Sequence, residues 1–130
     1  NDEAGTLEIK NGDQTTVFQV DESGNTLISG ELNTQSTGSA NMVPICYGNV
    51  QFSGLISSGT SNFTVVRYGV GLYRIEIDGE SINDDNYLVL VSLKEQGQVE
   101  WFPSAGELGI MTSENGVNVD KSFCFLIYKP

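Results

Sequence analysis

Two short runs of residues narrow the folds open to this chain. Tyr87–Leu93 and Phe123–Tyr128 are apolar at nearly every position. Both are rich in aromatic and branched residues, and both read as strands. Successive strand side chains point to opposite faces. Tyr87, Val89, Val91 and Leu93 therefore share one face, and Leu88 and Leu90 take the other. Phe123, Phe125 and Ile127 likewise oppose Cys124, Leu126 and Tyr128. An antiparallel strand that is apolar on both faces needs cover on both. One small sandwich covers one face. The second cover is a subunit, an extra layer or a ligand. We take Tyr87, Leu88, Leu90, Phe123, Phe125, Leu126, Ile127 and Tyr128 as oligomer interface and core, since a bare patch of this size invites aggregation.

The surrounding sequence has the same texture. From Ser39 onward, apolar runs recur every 8–12 residues, the rhythm of a sandwich or barrel. Strands are expected near Met42–Val50, Asn62–Arg67, Leu72–Ile77, Tyr87–Leu93, Val99–Phe102, Leu108–Thr112 and Ser122–Lys129. Leu72–Ile77 alternates, with Tyr73, Ile75 and Ile77 against Arg74 and Glu76, so it has one wet face. Most of the 15 Gly fall between these runs, and no apolar pattern of period 3.6 persists. No helix is expected.

Residues 1–38 differ. Their apolar residues are sparse and sit in short alternating pieces: Leu7 and Ile9, then Phe18 and Val20, then Ile28 and Leu32. Asn11-Gly12-Asp13 and Ser23-Gly24-Asn25 supply turns between them. The segment carries seven acids against one Lys. One copy holds too little apolar surface for a core. Either it is disordered alone, or several copies wind together and bury these six residues. We read 1–38 as a shaft segment and 39–130 as a head domain.

Charge and residue usage exclude several chemistries. Six Lys plus Arg stand against 17 Asp plus Glu, a net charge of −11. Nucleic acid and anionic membrane surfaces are therefore unfavourable partners. No run of 18 apolar residues offers a membrane span. His is absent, which removes Ser–His–acid and Cys–His catalysis within one chain. Two Cys cannot form a structural zinc site alone. Cys46 and Cys124 fall in the first and last head strands, where they either form a disulfide or pack as small apolar residues. Asp78, Glu80, Asp84 and Asp85 crowd one connection, read as a solvated loop with calcium or a carboxylate pair as alternatives. Asn62-Phe63-Thr64 matches a glycosylation sequon, which matters only in a eukaryotic secreted protein. Trp101 and Phe102, with Pro103, open a loop in this reading and are the expected ligand contacts. No resident cofactor is expected.

Val17-Phe18-Gln19-Val20-Asp21-Glu22-Ser23-Gly24-Asn25-Thr26-Leu27-Ile28-Ser29-Gly30-Glu31-Leu32 resembles the shaft repeat of phage tail and head fibres. The head is similar to C-terminal modules of fibre and surface proteins from Bacteroidota and their phages. The matching pieces are Met42–Gly48, Ser58–Val65, Gly71–Ile75 and Phe123–Pro130. The resemblance implies an all-β homotrimeric fibre, with a short intertwined β shaft and a jelly-roll-like antiparallel sandwich head. In outline that head is similar to the trimeric heads of the tumour-necrosis-factor and complement type. The resemblance implies no catalytic residue. It places the protein on a virion surface, or alternatively on a bacterial cell surface, joined to other virion proteins at its N-terminal end. Asn1-Asp2-Glu3-Ala4 lacks an initiator Met and is expected to continue a longer or processed chain. The functions expected are binding of a host-surface glycan or protein, or else a purely structural decoration. An enzyme acting on polysaccharide is the third reading.

Overall fold

The computed structural model describes residues 5–83 and 85–129. No helix occurs among them, and every strand pairing is antiparallel. The chain divides into two compact units, Asn1–Val43 and Pro44–Pro130.

The first unit is a three-stranded meander of β1 (Leu7–Lys10), β2 (Thr16–Val20) and β3 (Thr26–Ile28). Side-chain oxygens close its turns. Asn11 Oδ1 accepts from the Asp13 and Thr15 amides at 3.0 Å. Asp21 Oδ1 accepts from Ser23 at 2.9 Å and Asn25 at 2.8 Å. These bonds hold the short loops that the sequence predicts. In the pairing, Leu7 lies opposite Val20, Ile9 opposite Phe18, and Phe18 opposite Ile28. Directly opposed residues share a face. Five of the six expected shaft residues thus line one side of one sheet. Leu32 does not join them, because β3 ends at Ile28 and Leu32 lies outside the strand. Gly30, at φ 145°, stands between them. None of the described residues before Cys46 is buried.

The second unit contains β4 (Cys46–Val50), β5 (Ile56–Gly59), β6 (Phe63–Gly69), β7 (Leu72–Ile77), β8 (Leu88–Leu93), β9 (Gln98–Ser104), β10 (Glu107–Glu114), β11 (Val117–Asn118) and β12 (Phe123–Tyr128). One sheet runs β5-β4-β12-β8. The other runs β9-β10-β7-β6, with β11 paired to the end of β10. The inner faces meet in one core. Cys46, Val50, Val89, Phe123, Phe125 and Ile127 come from the first sheet. Phe63, Tyr73, Ile75, Ile77, Leu108 and Ile110 come from the second. Two ring pairs bridge the sheets edge to face: Phe63 with Phe125, and Tyr73 with Phe123, each with centroids 5.1 Å apart. Each such pair contributes about 0.5–1.5 kcal/mol beyond its buried area. The Tyr73 hydroxyl is satisfied by the Phe52 carbonyl at 2.7 Å.

Several expectations are corrected. β4 begins at Cys46, not Met42; the preceding stretch contains Pro44, which has no N–H for a ladder. β5 has the sequence Ile-Ser-Ser-Gly and is exposed throughout, so it carries no apolar alternation to announce it. β9 continues through Pro103 to Ser104 instead of opening a loop at Trp101. An edge strand tolerates Pro there. Cys46 pairs with Ile127 and Cys124 with Asn49, an odd offset that puts the two thiols on opposite faces. Both are free.

Gly48 sits on the inner face between Cys46 and Val50. A Cβ there would run into the Phe63 ring and stand 2.9 Å from Phe125. Gly48→Ala is expected to destabilise the head by about 1–3 kcal/mol through overpacking. Urea unfolding followed by fluorescence checks this, with a lower midpoint at unchanged slope.

Candidate functional site

Strand alternation fixes what the head shows to solvent. On the outer face of β5-β4-β12-β8, Tyr128 opposes Leu88, and Leu126 lies between Leu90 and Tyr47. Leu88, Leu90 and Tyr47 are 53%, 52% and 48% exposed. The next row is polar: Ser92, Cys124, Asn49 and Ser58, with Asn49 Nδ2 donating to Ser58 Oγ at 2.9 Å. A shallow groove runs among Leu90, Ser92, Cys124 and Leu126. Of the residues expected at the interface and core, Leu88, Leu90, Leu126 and Tyr128 form this outer face. Tyr87, Phe123, Phe125 and Ile127 are buried in the core.

The outer face of the other sheet has different chemistry. Phe102, Gly109, Arg74 and Val66 form one cross-strand row. Gly109 has no side chain, and a Cβ there would stand 2.7 Å from Phe102 Cδ2, so the ring lies across the glycine. Beside this row is a cleft lined by Thr64, Val66, Tyr68, Arg74, Glu76 and Glu107. The Arg74 guanidinium lies 4.7 Å above the Tyr68 ring centre. Its Nε is 3.8 Å from Glu107 Oε2, close enough for ionic attraction and too long for a hydrogen bond. Glu107 Oε2 is buried and has no hydrogen-bond partner.

Two carboxylates elsewhere are held by several hydrogen bonds each. Asp120 accepts from Arg67 at 2.9 and 2.7 Å and from the Gly71 amide at 2.7 Å. The Arg67 hydrogen bond is the main cause holding its pKa below the ordinary value, against a smaller opposing effect of burial. This cluster ties the β6–β7 turn to the approach to β12. Glu80 accepts from Tyr87 Oη at 2.6 Å and Lys129 Nζ at 2.8 Å. Burial works to raise its pKa, and the Lys129 and Tyr87 hydrogen bonds outweigh it, leaving it lowered.

The site residues expected from sequence are dispersed. Trp101 stands on β9 opposite Ile110, half-buried against the core, while Phe102 faces outward. Adjacent strand residues point to opposite faces, so Trp101 and Phe102 lie on opposite sides of β9. Of the acidic connection, Glu80 is held by Tyr87 and Lys129, and Asp84 lies outside the described residues. Among the described residues, no three His, Cys, Asp or Glu gather where a metal ion could sit. Asn62 of the sequon donates to the Ile45 carbonyl at 2.9 Å, and its Oδ1 is buried. The Tyr68–Arg74–Glu107 cleft was not anticipated. Arg74 and Glu76 read as a wet face, but nothing in the sequence announces the register that sets them beside Gly109. No protein-family model, no curated protein and no solved structure matches the chain.

The lowered carboxylates set a direction for acid stability. A carboxylate with a depressed folded pKa contributes stability above its unfolded value, about 4. That contribution is lost as pH falls through the lower folded value. Asp120→Asn is expected to lower the melting temperature at neutral pH and to flatten the decline below about pH 4. Thermal melts across that range check it.

Proposed function

We propose that this chain is a non-enzymatic homotrimeric fibre protein on a virion surface. Its first unit belongs to an intertwined β shaft. Its second is a jelly-roll-like head that binds a host-surface glycan or protein. The observation that carries this reading is the pair of uncovered apolar sheet faces. One is built from Leu7, Ile9, Phe18, Val20 and Ile28; the other from Tyr47, Leu88, Leu90, Leu126 and Tyr128. Contiguous apolar rows of this kind mark association surfaces. Other copies of the chain supply the cover, and virion proteins hold the N-terminal end.

Further features support the reading. The last strand, β12, lies beside the first head strand, β4, as in a jelly-roll closure. The chain passes between sheets after β5, β7, β8 and β11. The Gly-Asn turn at Gly24-Asn25 closes a β2–β3 hairpin, in keeping with a shaft repeat.

Sedimentation velocity on the full chain tests the assembly. The expected species has the mass of three 14.1 kDa chains. The double substitution Leu90→Asp with Leu126→Asp is expected to shift it toward monomer, because each charge would be buried unpaired. A fully ordered monomer of the unsubstituted chain at micromolar concentration overturns the proposal.

A further inference from the structure

We infer that the cleft on β6, β7 and β10 is a binding site for a single neutral sugar ring, with Arg74 and Glu107 gripping one hydroxyl between them. This names the ligand class and location for the receptor-binding head proposed above and rests on that reading. Three features carry it.

The first is the orphaned oxygen. A buried carboxylate oxygen without a donor is costly and calls for one. Glu107 Oε2 is such an atom. Its nearest cation, Arg74 Nε, stops at 3.8 Å. A hydroxyl both donates and accepts. The Glu107 side chain is 32% exposed as a whole, and a rotation that turns Oε2 outward would let one sugar hydroxyl donate to Glu107 and accept from Arg74. A bare ammonium or a bare carboxylate would satisfy only one of the two.

The second is the lining. Glu76 and Thr64, cross-strand neighbours, add an acceptor and a hydroxyl beside the pair. Val66 and Tyr68 add apolar surface for the C–H face of a ring. Arg74 is held over Tyr68, which limits the rotamer freedom it would lose on binding. Phe102, stacked on Gly109 in the same row as Arg74, covers the backbone at that flank.

The third is charge. Two carboxylates and one guanidinium line the cleft, on a chain of net charge −11. An acidic sugar would meet repulsion at both ranges. Neutral hexoses are the ligands the site fits.

The test is two-dimensional NMR of the uniformly labelled full chain, titrated in turn with galactose, glucose, mannose and N-acetylneuraminate. At about 1–10 mM, the affinity expected of one shallow site, at least one neutral hexose is expected to shift amides at Thr64–Tyr68, Arg74–Glu76 and Glu107. N-acetylneuraminate is expected to leave them in place. Glu107→Gln and Arg74→Met each remove one arm of the grip, and each is expected to weaken binding at least about tenfold. Their melting temperatures show whether the fold is intact. Absence of shifts with all three hexoses, binding of the acidic sugar alone, or undiminished binding in both variants overturns the inference. The sedimentation mass is read on the same samples. A trimer that ignores hexoses sinks this site and leaves the fibre; a monomer that binds them does the reverse.

Discussion

The head depends on one strand that is paired along both edges. β12 lies between β4 and β8, and its inward residues Phe123, Phe125 and Ile127 are almost wholly buried. Two of them reach across to Tyr73 and Phe63 of the opposite sheet. These ring pairs set where the two sheets meet. They also explain the empty position at Gly48, since a methyl group there would occupy the space of both rings. The order of the inner layer therefore follows from how aromatic edges and faces fit, with a glycine giving them room.

Burial separates the two units sharply. Every buried apolar side chain among the described residues belongs to the second, from Cys46 onward. The first unit has well-formed turns, an ordered register and one apolar face, yet no interior. Local hydrogen bonding at Asn11 and Asp21 specifies its shape, and burial contributes little to hold it. A meander of this size is marginal in water without something to pack against. The proposed shaft is the arrangement that would complete it.

Much of this was legible in the sequence, for a definite reason. Side-chain alternation has a period of two, so faces follow once a strand is recognised. The inward and outward sets of β8 and β12, and the wet face of Arg74 and Glu76, were readable in that way. Register was not. Nothing local tells Gly109 that it will stand between Phe102 and Arg74, or Leu126 that it will stand between Leu90 and Tyr47. β5 was missed because Ser and Gly carry no pattern, and Trp101 was misplaced because Pro103 reads as a breaker although an edge strand tolerates it. The cleft is made of residues from three strands, and long-range pairing alone assembles it.

The two cysteines show what an odd register offset does. Cys46 faces inward and Cys124 outward across one sheet, so the backbone itself stands between the sulfurs. No oxidant can join them while β4 and β12 stay paired. The two inner faces are therefore held together without a disulfide between these cysteines. Burial also pushes the Cys46 thiol toward its protonated, unreactive form. A disulfide formed while the strands stay paired would run through Cys124 and join it to a thiol outside the chain.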